Sequence, residues 1–81
     1  MATRRITVTR EWQQITDGST TAVIQFSDPI ELCDSQTQPE NAAAALNFPA
    51  QTLTITPPTQ AWIRAAGCGI YNEIPVIVMG I

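Results

Sequence analysis

The sequence predicts an all-β domain: a small antiparallel β-sandwich or jelly-roll-like barrel, with one long loop containing at most a short helical turn. Three observations carry that expectation. Polar and apolar residues alternate with a period of two through most of the chain. Turn signals recur at intervals of roughly 8–12 residues. The length, 81 residues, holds a single domain over positions 1–81.

The elements follow in order. Arg5-Ile6-Thr7-Val8-Thr9 alternates, with Ile6 and Val8 on one face. Glu11 to Ile15 continues an extended reading through Trp12, and Asp17-Gly18-Ser19 then marks a turn. Thr21 to Phe26 puts Ala22, Ile24 and Phe26 on one side. Ser27-Asp28-Pro29 breaks that run, and Ile30-Glu31-Leu32-Cys33 alternates again. Leu53 and Ile55 alternate with Thr52, Thr54 and Thr56, until Pro57-Pro58 ends the strand because proline has no N–H to give a ladder. Gln60 to Ala65 places Trp62 and Arg64 on one face and Ala61 and Ile63 on the other. Gly67-Cys68-Gly69 reads as a turn. Ile74 to Met79 reads as the last strand, with Pro75 at its start or on an edge. Six or seven strands result.

The exception is Asp34 to Gln51, which holds Pro39, Pro49 and the run Ala42–Leu46. Pro39-Glu40 suits a helix start and alanine favours helix, so any helical turn falls within Glu40–Asn47. A segment this short does not make an independent helix. Long irregular segments in small domains tend to carry function or pack on a neighbour.

Composition narrows the chemistry. Four arginines stand against seven acids, for a net charge of −3, with no lysine and no histidine. Without histidine the usual general base and zinc ligand are missing. Without lysine, Schiff-base and P-loop chemistry are missing. The acidic balance argues against nonspecific nucleic-acid binding. No apolar run approaches the roughly 20 residues of a membrane span. Met1 to Arg10 is polar and lacks the apolar stretch of a secretion signal, so no signal peptide is expected there. Charged residues are only 14% of the sequence, which leaves strand edges with little charge to protect them. A chain of this mass buries only about 63% of its unfolded surface. Association with another subunit would cover the edges and enlarge the core together.

The candidate sites are few. Cys33 and Cys68 are read as small apolar fillers or as a mutual disulfide, and neither is needed for function. Asp28, Glu31 and Asp34 match no calcium-loop spacing and are read as solvated acids. Arg4 and Arg5 form a small basic pair at the N-terminus. Trp12 and Trp62 are read as core anchors, or one of them as an interface residue, where tryptophan is enriched. No catalytic residue, metal ligand or cofactor site is expected.

Three segments carry a resemblance: Glu11-Trp12-Gln13-Gln14-Ile15-Thr16-Asp17-Gly18, then Thr21-Ala22-Val23-Ile24-Gln25, then Ala61-Trp62-Ile63-Arg64-Ala65-Ala66. With a proline-containing polar loop at Ser35–Pro39 and a closing Val76-Ile77-Val78, this resembles small structural proteins of tailed bacteriophages. The resemblance implies a β-sandwich that assembles as an oligomer on the virion, as a capsid decoration or cement subunit, or as a tail or fibre component.

The expected function is therefore that of a non-enzymatic virion structural protein, assembled in the host cytoplasm. It is expected to bind itself, with a trimer favoured, and the major capsid or tail protein, and neither nucleic acid nor membrane. The expected contact residues are Trp62, Arg64, Leu46, Phe48, Val76 and Val78. Aspartate at both Leu46 and Phe48 is expected to abolish binding while the fold survives. The alternative is a tail-associated receptor- or carbohydrate-binding module that presents Trp12, Trp62 or Tyr71 as a stacking platform.

Overall fold

The computed structural model describes residues 3–66 and 73–80. Eight strands run in order: β1 Thr3–Val8, β2 Gln13–Gln14, β3 Ala22–Phe26, β4 Ile30–Asp34, β5 Leu46–Phe48, β6 Gln51–Ile55, β7 Ala61–Ala65 and β8 Ile74–Gly80. They form two four-stranded antiparallel sheets, ordered β1-β8-β3-β6 and β2-β7-β4-β5. Every consecutive pair except β4-β5, which are neighbours in one sheet, splits between the two sheets. The chain is thus two long antiparallel ribbons, each folded across both sheets, which is the strand order of a jelly roll.

Proline marks the corners of the inner ribbon. β3 leaves its sheet at Ser27-Asp28-Pro29, and β5 hands over to β6 at Pro49-Ala50. Phe26 pairs with Gln51 on one side of this bend, and Ile30 pairs with Phe48 on the other.

The alternation read from the sequence becomes the core. Val8, Ala22, Ile24, Phe26, Ile30, Ile55, Ala61, Ile63, Ala65, Ile74, Val76 and Val78 form one buried cluster between the sheets. Ile6, Ile15, Leu32, Phe48 and Leu53 pack at its margins. The three-residue signal Asp17-Gly18-Ser19 is a turn in which Gly18 has φ = 93°. A Cβ there would meet Gln60 Cγ at 3.0 Å and the Pro58 carbonyl at 3.1 Å, so glycine is needed for both conformation and space.

Three expectations are corrected. The segment Asp34–Gln51 is not one long loop: Asp34 ends β4, Leu46–Phe48 is strand β5, and Gln51 opens β6. The irregular part shrinks to 35–45, where a single turn is closed by the Ala43 N–H donating to Glu40 O (3.0 Å). The extended run at Glu11–Ile15 pairs over Gln13 and Gln14 alone. Val76 and Val78, expected at a contact surface, point into the core and are at most 1% exposed. The register sets their phase. Val76 pairs with Phe26 and Val78 with Ile24, both inward-facing. The Gly67-Cys68-Gly69 turn and Tyr71 lie outside the described residues.

Candidate interaction surfaces

The outer face of the β2-β7-β4-β5 sheet is covered by the chain itself. The 35–45 segment folds back across it and is held by three side-chain donors. Trp62 Nε1 donates to Ser35 O (2.9 Å), Trp12 Nε1 to Glu40 O (3.1 Å) and Arg64 Nη2 to Asn41 O (2.9 Å). All three acceptors are backbone carbonyls of a segment that makes little secondary structure of its own. The tryptophans and the arginine thus act as clamps on a strap.

Arg64 is the centre of this arrangement. Its guanidinium lies 4.3 Å from the Trp12 ring centroid, and its Nε donates to Glu31 Oε1 at 2.7 Å. Glu31 and Arg64 are direct cross-strand partners on β4 and β7, which places opposite charges face to face. Arg10 adds a second, longer contact to the same Glu31 oxygen (3.4 Å) and donates to Ala65 O (2.6 Å). Arg64 is 5% exposed, and its charge is met by a carboxylate, a π face and a carbonyl.

A second set of polar contacts ties the turn after β2 to the turn before β7. Thr16 Oγ1 donates to Thr59 O (2.7 Å) and accepts from the Ala61 N–H (3.0 Å). Gln60 Nε2 donates to Asp17 O (3.2 Å). The Ser19 hydroxyl and N–H donate to Asp17 Oδ1 at 2.6 and 2.9 Å, which holds that carboxyl below its ordinary range. Asp34, at the end of β4, accepts from the Gln60 N–H (2.9 Å). Of the acids singled out in the sequence, Glu31 is paired with Arg64 rather than simply solvated, and Asp34 serves a separate structural task. Among the described residues, no three His, Cys, Asp or Glu side chains cluster as metal ligands would.

The opposite flank, formed by the edge strands β5 and β6, differs in kind. From Asn41 to Ile63 the chain carries no charged residue. A groove of about 350 Å³ opens between the two edges, lined by apolar Leu32, Leu46, Phe48, Leu53 and Ile55, by threonines and by the Asp34 carboxylate. Leu46 stands over it, 63% exposed.

The six expected contact residues therefore separate. Leu46 is open to solvent. Phe48 is half-buried against the core. Trp62 is half-buried and Arg64 buried, both committed to the strap. Val76 and Val78 are core. Trp12 is 5% exposed and so offers no stacking platform. What the sequence reading missed is the pairing of Arg64 with Glu31 and Trp12. The available signal was a lone arginine inside the apolar strand Ala61–Ala65, which requires a partner once the strand is buried.

The chain matches no protein-family model, no curated protein and no solved structure.

Proposed function

We propose that this protein is a non-enzymatic structural subunit of a tailed-bacteriophage virion, one that binds itself and seats on the capsid surface as a decoration or cement protein. The observation that carries the reading is how the polar side chains are used. Arg64, Glu31, Asp34, Thr16 and both indole N–H groups serve the fold, while the edge strands β5 and β6 are uncharged and border a partly apolar groove. Such a surface suits association through buried area and strand complementarity rather than through a reactive group.

The sequence resemblance gives the reading its biological setting. Its motif residues meet in space: Trp12 stacks on Arg64, and the Thr16-Asp17-Gly18 turn is tied to Gln60 and Ala61. They thus make up one connected framework in this chain. Jelly rolls recur in viral capsid proteins, an analogy at the level of fold.

The test is co-sedimentation of the purified chain with heads and, separately, tails of the parent phage. Saturable binding to heads is the expected result. Binding to tails alone would move the protein to the tail or fibre, and binding to neither would overturn the proposal.

A further inference from the structure

We infer that a second copy of this chain pairs with the free edge of β6, antiparallel and about a two-fold axis, joining the two β1-β8-β3-β6 sheets into one of eight strands. The inference deepens the self-association in the proposed function by naming its surface. Its two-fold symmetry makes the basic unit a dimer in place of the trimer expected from the sequence.

The four sheet edges are not equivalent. β1 carries Arg4 and Arg5, and its Thr7 carbonyl already accepts from Gln13 Nε2 (2.8 Å). β2 has two residues and β5 has three. β6 alone offers five residues, Gln51-Thr52-Leu53-Thr54-Ile55, with no charge, no proline and no glycine. Its inner edge pairs with β3, and it is the terminal strand of its sheet. Natural edge strands are commonly protected by charge, proline or a bulge. This one has none of these among the described residues.

The occupant follows from charge and symmetry. An uncharged edge attracts neither a basic nor an acidic partner. Self-pairing brings no like charges together, although the chain as a whole is at −3. With the axis at Leu53, Thr52 of each copy faces Thr54 of the other on the outer face, and Leu53 faces Leu53 on the inner. Threonine pairs of this kind favour strand pairing. Five residues of backbone pairing alone fall short of the roughly 800 Å² per partner of a stable contact. The neighbouring groove and the exposed Leu46 supply further apolar area along the same flank.

Thr52 and Thr54 are exposed, so charges placed there leave the core intact. Sedimentation equilibrium of the purified chain should show a dimer at micromolar concentration. The double variant Thr52→Lys/Thr54→Lys sets lysine opposite lysine across the axis and should raise the dimer Kd by about tenfold or more. Thr52→Lys/Thr54→Glu sets opposite charges across the same axis and should recover dimerisation. Circular dichroism checks that both variants keep the β fold. A monomeric parent chain, a double-lysine variant that dimerises as the parent does, or a Lys/Glu variant as weak as the double-lysine one would each overturn the inference. Head binding by a strictly monomeric chain would sink this contact and leave the virion proposal standing. A dimer that binds neither heads nor tails would do the reverse.

Discussion

The outer face of the β2-β7-β4-β5 sheet and the β5–β6 flank are built from opposite materials. On the first, an arginine, a glutamate and two tryptophans are joined to partners, and an irregular segment is bound down as a lid over the sheet. On the second, neither edge strand carries a charge, a groove with Asp34 in its lining stays open and a leucine faces water. In a domain this small a single polar network cannot reach both sides. The comparison teaches where the chain spends specificity on itself and where it leaves surface for another molecule.

The sharpest way to break this comparison is to put a charge at Leu46 and at Phe48 separately. The two residues flank Asn47 on one short strand and so share a face, yet Phe48 packs on the core while Leu46, across from Leu32, stays mostly exposed. Phe48→Asp should lose about 4 kcal/mol, which is enough to unfold a domain of marginal stability. Leu46→Asp should change stability by no more than about 0.5 kcal/mol. Urea denaturation followed by tryptophan fluorescence measures both. The double substitution is therefore expected to unfold the domain, against the sequence-based expectation that the fold survives it, and equal effects at the two sites would contradict the difference in burial between them.

That strand was hard to read from the chain. Leu46-Asn47-Phe48 follows four alanines and precedes a proline, so its three residues cannot be told from the tail of a helical run by periodicity. Pairing with β4, at least a dozen residues away in sequence, decides it. The same limit hid the facing of β8. Ile74 to Met79 is apolar on both faces, and only the register against Phe26 and Ile24 turns Val76 and Val78 inward. By contrast, Ala22-Ile24-Phe26 and Ala61-Ile63 were legible, because their neighbours are polar or bulky and the alternation is unambiguous. The strap was legible as an irregular segment but not as a bound one, since its holding residues, Trp12, Trp62 and Arg64, come from strands or bends elsewhere in the chain.

The next largest effect is expected at Arg64. Removing it leaves the Glu31 carboxylate beneath the strap, frees the Asn41 carbonyl and bares the Trp12 ring. Arg64→Ala should cost about 3 kcal/mol. Arg64→Lys keeps the charge but not the forked donors, and should cost about 1 kcal/mol. Hydrogen exchange sharpens the comparison: both variants should speed exchange in residues 35–45 while leaving β6 unchanged. Acceleration at β6 as great as in the strap would show that the two regions are not separate.

Gly18 tests the tied turns with a smaller effect. Gly18→Ala forces a side chain into a positive φ and against the Pro58 carbonyl, and should cost about 1–2 kcal/mol. Thermal denaturation reads it directly. A neutral result would mean that the turn shifts away from Gln60 without consequence, and that the contacts joining the two turns add little.

The smallest expected effect concerns Asp17, in the same turn. Its carboxylate accepts from the Ser19 hydroxyl and N–H, and these bonds lower its folded-state pKa. A lowered folded pKa gives stability that is fully present above the unfolded value and is lost as pH falls through the folded one. The loss therefore begins near the bottom of the ordinary carboxylate range and completes below it. Asp17→Asn keeps an acceptor oxygen but cannot ionise, so the parent chain should exceed the variant in stability at neutral pH by a small margin. That margin should shrink as pH falls and vanish once Asp17 is protonated. Urea midpoints measured for the two chains across an acid series supply the check. A margin that stays constant to the most acidic point would show that the charge of Asp17 contributes nothing and that the turn rests on Gly18 and Gln60 alone.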